Sequence, residues 1–188
     1  MTDQDQLHPT GDTGVVIVPP HDICAFANHY RRLYMPEEMD KIPPHISVAG
    51  PLMPYEQLVD ALPRLRAAIS SHPETRMSLR EFAVFPDAGV LYLRPAYPER
   101  IIALYRSILA EFPDYPAYGG QYGDDLVPHM TVGLFTDRAQ MQAAYEELSA
   151  MKLYLGWVME SLTVVYKGAD DRWNALEEIP LLGRQLDW

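Results

Sequence analysis

Pro44-His45-Ile46-Ser47-Val48 and Pro128-His129-Met130-Thr131-Val132 decide how this chain is read. Each has Pro, His, an apolar residue, a hydroxyl residue and Val in the same order. They lie a little under half the chain apart. In a β-strand successive side chains point to opposite faces, so His45 and Ser47 share one face, as do His129 and Thr131. Ile46 and Val48, like Met130 and Val132, then turn to the other face, where an apolar core takes them. The leading Pro fixes its own φ and biases Pro43 or Val127 before it toward extended backbone. Each phrase therefore predicts a short strand with one dry face and one equipped for chemistry.

The equipment suits proton transfer at a phosphate. Imidazole ordinarily titrates near neutrality, so two can divide the roles of base and acid. Two hydroxyls can donate hydrogen bonds to non-bridging phosphate oxygens. A single His-x-Ser strand is most often just a strand with a polar rim. Repetition, with Pro and Val in matching places, is what points to a site.

Composition narrows the partner. The 188 residues are 48% hydrophobic, enough for a real core. No run of 18 apolar residues occurs and Met1 to Asp12 is polar and acidic, so neither a membrane span nor a signal peptide is expected. Cys24 is the single cysteine, which rules out an intrachain disulfide and fits a reducing cytoplasm. Within a helix it reads as packing. Cys and His are too sparse and badly spaced for zinc, and no metal or cofactor is expected. Asp and Glu outnumber Lys and Arg by 26 to 15, a formal charge of −11. Proteins that grip long nucleic acid usually carry a basic stripe, so the balance favours a small nucleotide or short RNA end over a long duplex. A local basic cleft is compatible with that average.

Working outward from the phrases, residues 1–12 read as a disordered arm and 13–188 as one bilobal domain. A strand at 14–18 leads to a helix from Asp22, a candidate N-cap, to Tyr34. Strand 45–49 is followed by a helix at 55–71 carrying Leu58, Leu62, Leu65 and Ile69, which Pro63 should kink or split. Met77–Phe85 and Val90–Arg94 form a hairpin through Pro86-Asp87-Ala88-Gly89. A helix at 98–111, a Pro, Gly and Tyr-rich loop at 113–127, strand 129–135, a helix at 137–151 and strands at 157–166 and 172–180 complete the chain. Strands interspersed with helices and hairpins predict an α+β protein with antiparallel sheets.

Other residues carry weaker indications. Tyr115, Tyr118 and Tyr122 sit among glycines before the second phrase, where aromatics can stack on a base; ordinary anchoring of the loop is the favoured reading. Asp124 and Asp125 read as solvated acids. Tyr92 and Arg94 alternate onto one strand face, and Arg94 is a candidate phosphate contact, with a surface ion pair the equal alternative. Tyr92, Arg94 and Tyr122 are thus the candidate substrate contacts. His8, His21, His29 and His72 lack a hydroxyl partner and the repeated context. They read as surface or partly packed.

At these residues the chain resembles the two-histidine (2H) phosphoesterase superfamily, which includes 2′-5′ RNA ligase-like proteins and cyclic phosphodiesterases. His45-Ile46-Ser47-Val48 and His129-Met130-Thr131-Val132 match the family's paired His-x-Thr/Ser-x motifs position by position. Gly14-Val15-Val16-Ile17-Val18 and the run Ile42–Pro51 resemble its opening segments, and the likeness spans about residues 14 to 180. Ser47 stands where Thr is commoner, and keeps the hydroxyl. The resemblance implies a bilobal fold with two antiparallel sheets, flanking helices and pseudo-twofold symmetry around a central cleft. It implies His45, Ser47, His129 and Thr131 as the catalytic set of a metal-independent phosphodiesterase, expected as a monomer. Substrates in view are 2′,3′-cyclic phosphates or ADP-ribose 1″,2″-cyclic phosphate, with 2′-5′ RNA ligation when a 5′-hydroxyl of RNA is the nucleophile. The alternative is a noncatalytic nucleotide- or RNA-binding module using the same cleft. Either histidine can serve as base, since the two phrases are nearly identical.

Overall fold

The computed structural model describes residues 13–116, 120 and 126–183. Among the described residues, eight strands form two four-stranded antiparallel sheets, flanked by four α-helices. The first half runs β1 (Thr13–Ile17), α1 (His21–Tyr34), β2 (Ile46–Ala49) and α2 (Tyr55–Ser70). The second runs β4 (Val90–Pro95), α3 (Glu99–Glu111), β5 (Met130–Leu134) and α4 (Arg138–Ser149), with β3 (Thr75–Phe85) between the halves. β6 (Leu155–Met159), β7 (Ser161–Lys167) and β8 (Trp173–Pro180) follow. One sheet has the order β2-β1-β7-β8 and the other β5-β4-β3-β6. The expected α+β, two-lobed architecture is what the chain adopts.

Both phrases open edge strands. Among the described residues, β2 pairs only with β1, and β5 only with β4. These two edges lie against each other, so the sheets meet at the strands that carry the phrases. The helices are exchanged across that seam: α1 packs on β5, and α3 on β2. The expected alternation is present. Ile46, Val48, Met130 and Val132 are fully buried, while His45, Ser47, His129 and Thr131 are only partly so.

The two halves also share a defect. Val15 pairs with Ala49 and Val16 with Ser47, so Val48 is skipped. Leu91 pairs with Gly133 and Tyr92 with Thr131, so Val132 is skipped. Each β-bulge thus falls on the Val of its phrase, which bends the strand and re-aims the residues beside it. Short strand patterns do not reveal such a bulge.

Some expected local features differ. The run 157–166 is two strands: β6 belongs to one sheet and β7 to the other, with Glu160 alone between them. Its carbonyl accepts from the Leu181 N–H, which ties down the crossover. Both strands are apolar, so composition did not mark the break. Pro63 does not split α2. Its ring displaces the bond to the carbonyl of Val59, an exposed residue, on the side facing solvent. Asp22 lies within the first turn of α1, where its charge still suits the helix N-terminus; Pro20 holds the cap position without a side-chain bond. Asp137 does cap α4, accepting from Ala139 N at 2.8 Å.

Candidate functional site

Each imidazole is oriented by its own phrase. His45 Nδ1 lies 2.9 Å from the Pro43 carbonyl, and His129 Nδ1 lies 2.8 Å from the Val127 carbonyl. A carbonyl only accepts, so Nδ1 carries the proton in both rings and Nε2 is left free for chemistry. The Pro at the intervening position makes this a local device, because its fixed φ sets how carbonyl and ring approach each other. Two residues of backbone thereby fix tautomer and ring direction, twice.

The rings share one electrostatic neighbourhood. Burial lowers the His45 pKa to about 4, with the His45–Pro43 bond opposing and the charges of Arg31 and His129 adding to the fall. Burial also lowers His129, again opposed by its backbone bond. Both rings are therefore neutral near pH 7, each with a free lone pair.

Their packing differs. His129 stands edge-on to Phe85, with centroids 5.0 Å apart, and against Tyr92 at 5.5 Å. Phe85 and Tyr92 stack on each other at 4.3 Å, walling that ring on the β3–β4 side. Pairing of Tyr92 with Thr131 puts the tyrosine on the chemical face of this sheet, though Phe85 leaves little of it exposed. Arg94 donates from Nη2 to the Tyr92 hydroxyl at 3.5 Å and from Nη1 to Glu81 at 2.9 Å. Arg94 thus borders the His129 side while holding an ion pair. On the other side, Arg31 of α1 is buried and donates to the carbonyls of Glu38 and Ile42, on the approach to His45.

The sequence points to the four residues of the phrases and to Tyr92, Arg94 and Tyr122. The structure brings the two His-hydroxyl pairs to the meeting edges and sets Tyr92 and Arg94 beside the second. Tyr122, Tyr118, Asp124 and Asp125 lie outside the described residues. Phe85 and Arg31 were missed, because neither carries a local pattern. His72 is turned to Ser107, at 2.8 Å, and His29 to the Tyr30 ring, so each has ordinary packing. Cys24 is half-buried, its thiol pKa raised by burial and its Sγ near the Pro19 carbonyl. A separate hollow of about 270 Å³, lined by Pro51–Pro54 and Asp114–Pro116, opens past the far end of β2. Among the described residues, no group of three His, Cys, Asp or Glu gathers to hold a metal, and no helix is long and apolar enough to cross a membrane.

Two sheets meeting at edge strands, each opening with an oriented His and a hydroxyl, define a two-histidine phosphoesterase architecture. The chain belongs to the 2′-5′ RNA ligase superfamily, whose model matches residues 19–171. It is similar to a Geobacillus kaustophilus protein named "putative phosphoesterase", 24% identical over 92% of this chain and 97% of that one. A Bacillus licheniformis protein of like name is 27% identical over 63% of this chain and 68% of that one. Among solved structures, a Thermus thermophilus protein superposes with a TM-score of 0.65 at 18% identity, covering 93% of this chain and all of that one. Escherichia coli LigT, crystallised with 3′-AMP, gives 0.64 at 16% identity over 92% and 98%. These structures share the fold.

Proposed function

We propose that this chain is a metal-independent phosphodiesterase that opens cyclic phosphates of nucleotides or short RNA ends. The candidates are 2′,3′-cyclic phosphates and ADP-ribose 1″,2″-cyclic phosphate, with 2′-5′ RNA ligation when the 5′-hydroxyl of an RNA attacks phosphorus in place of water and the 3′-oxygen leaves. The observation that carries this reading is the matched pair of imidazoles, each bonded through Nδ1 to a carbonyl and each beside a hydroxyl two residues on. One free Nε2 takes a proton from water as its oxygen attacks phosphorus. The bond from phosphorus to a ribose oxygen breaks, and the other imidazole, protonated, delivers its proton to that oxygen. Ser47 and Thr131 donate to the non-bridging oxygens, where charge grows. Acid, base and oxyanion donors all come from side chains, so the step requires no further group.

Arg94 supplies a cation beside His129 once a phosphate competes for it with Glu81, and Tyr92 holds it in place. Residues 13–188 act as one domain in this reading, because each sheet contributes half of the site. The crystallisation of E. coli LigT with ATP and with 3′-AMP supports a small nucleotide as ligand. The test is a panel of 2′,3′-cyclic nucleotides, a short RNA ending in a cyclic phosphate and ADP-ribose 1″,2″-cyclic phosphate, with and without EDTA. Turnover that survives EDTA and disappears in His45→Ala is expected. Binding without turnover on any of them would reduce the site to a nucleotide-binding cleft.

A further inference from the structure

The halves are matched in strands, bulges and ring hydrogen bonds, which makes one mismatch informative. The N–H that closes α1, from Met35, bonds the carbonyl of Arg31; the N–H that closes α3, from Phe112, bonds the carbonyl of Ile108. Arg31 and Ile108 thus hold the same place in the two helices, and both are buried, 2% and 1% exposed. An aliphatic side chain suffices there in one half. The other half buries a cation that remains charged, at a considerable desolvation cost.

The surroundings of Arg31 show what it holds. Nη1 donates to Asn28 Oδ1 at 3.1 Å, and Nη2 to the carbonyls of Glu38 at 3.2 Å and Ile42 at 2.7 Å. Nε has no hydrogen-bond partner among the described residues. The Glu38 carboxylate is taken by Lys41 at 2.8 Å, so carbonyl dipoles carry much of the burden of solvating the guanidinium. The Ile42 carbonyl that Arg31 grips is next in the chain to the Pro43 carbonyl that orients His45. Lys41 of the same segment is also tied to the β7–β8 turn, through its carbonyl to Trp173 N and its ammonium to Asp171.

We propose that Arg31 is a positioning residue that makes the two histidines unequal, locking the segment that orients His45 and setting a fixed charge beside it, so that His45 accepts the proton and His129 donates. This rests on the phosphodiesterase reading above. Each charged or titratable group at hand acts in a defined direction. The charges of Arg31, on α1, and of His129, just ahead of β5, both disfavour protonation of His45. The Cys24 thiol near Arg31 is held neutral by burial. His129 faces the Phe85 and Tyr92 rings, behind which Arg94 and Glu81 neutralise each other. A bound phosphodiester anion favours one imidazolium, and the ring away from the buried cation takes it. In the step itself, water gives its proton to His45 Nε2 and its oxygen to phosphorus. The ribose oxygen leaves with the proton of His129, and exchange with solvent resets both rings.

The test is an NMR titration of the histidine ring protons in the full chain, wild type, Arg31→Gln and Arg31→Lys, beside pH profiles on a 2′,3′-cyclic nucleotide. In wild type His45 is expected to titrate below His129. Arg31→Gln removes the charge, so the His45 midpoint and the acid limb of kcat/KM should rise together while His129 stays. Arg31→Lys keeps the charge and loses the planar fork, so the His45 midpoint should hold while kcat falls roughly 10–10²-fold with KM little changed. The proposal is overturned if wild-type His129 titrates below His45, if Arg31→Gln leaves His45 unmoved, or if both rings move alike. A wild type that turns over no phosphodiester would sink the function proposed above, and the titration would still decide the inequality of the rings.

Discussion

His45, Ser47, His129 and Thr131 are partly exposed while the residues between them are sealed, so their chemistry can be altered without opening the core. His45→Ala and His129→Ala should each lower kcat by roughly 10²–10⁴-fold, the worth of one positioned acid or base. Ser47→Ala and Thr131→Ala should each cost about 10²–10³-fold, the worth of one oxyanion donor. The double histidine variant should be little worse than either single one, because the pair acts as a unit. His21→Ala and His72→Ala serve as controls; steady-state rates showing equal damage from them would remove the site from the repeat. These four positions were legible because a period of two and a fixed Pro-His order are local properties of sequence. Phe85 was not, since its contact with His129 crosses three strands, and neither was Arg31, whose value lies in two carbonyls in the segment that follows its helix.

At the scale of elements, what brings the phrases together is the close approach of helix to strand and the turn that aims the hairpin. Gly133 sits under α1: a Cβ there would meet Tyr34 Cβ at 2.9 Å and Leu91 Cβ at 3.3 Å. Gly89 has φ +66°, and a Cβ would clash with the Phe135 carbonyl oxygen, where the Phe135 N–H also bonds the Gly89 carbonyl at 2.8 Å. Gly89→Ala should therefore destabilise by about 2 kcal/mol or more, from the left-handed backbone and the clash together. Urea unfolding followed by circular dichroism would measure it, and an unchanged midpoint would refute the close approach. Helices and the β3–β4 hairpin were legible from periodicity and turn residues. Which strand joins which sheet was not, as the single run spanning β6 and β7 shows: an apolar strand reads alike in either sheet, and one residue sufficed for the crossover.

For the whole molecule, the same burial that readies the rings makes folding sensitive to acid. Both histidines have lower pKa values folded, His45 about 4, than the ordinary 6.5 of an unfolded chain. Between these values the unfolded state binds the extra protons, so stability falls as pH drops below about 6.5 and stops falling once the folded rings are also protonated. The rings retain some contact with solvent, which trims the effect; His45 should account for on the order of 1–2 kcal/mol lost by pH 5. His45→Gln has no proton to gain there. Its Tm relative to wild type should thus rise as pH is lowered from 7 to 5, a window in which the carboxylates titrate equally in both proteins. Phosphate should oppose the acid loss in wild type, because an anion held between the phrases favours protonated rings and binds only the folded state. In His45→Gln that protection should be largely absent. Thermal melts at both pH values, with and without phosphate, provide the four comparisons. A wild type that loses no more stability than His45→Gln on acidification would mean that His45 is solvated like a surface histidine and is not held neutral by the fold.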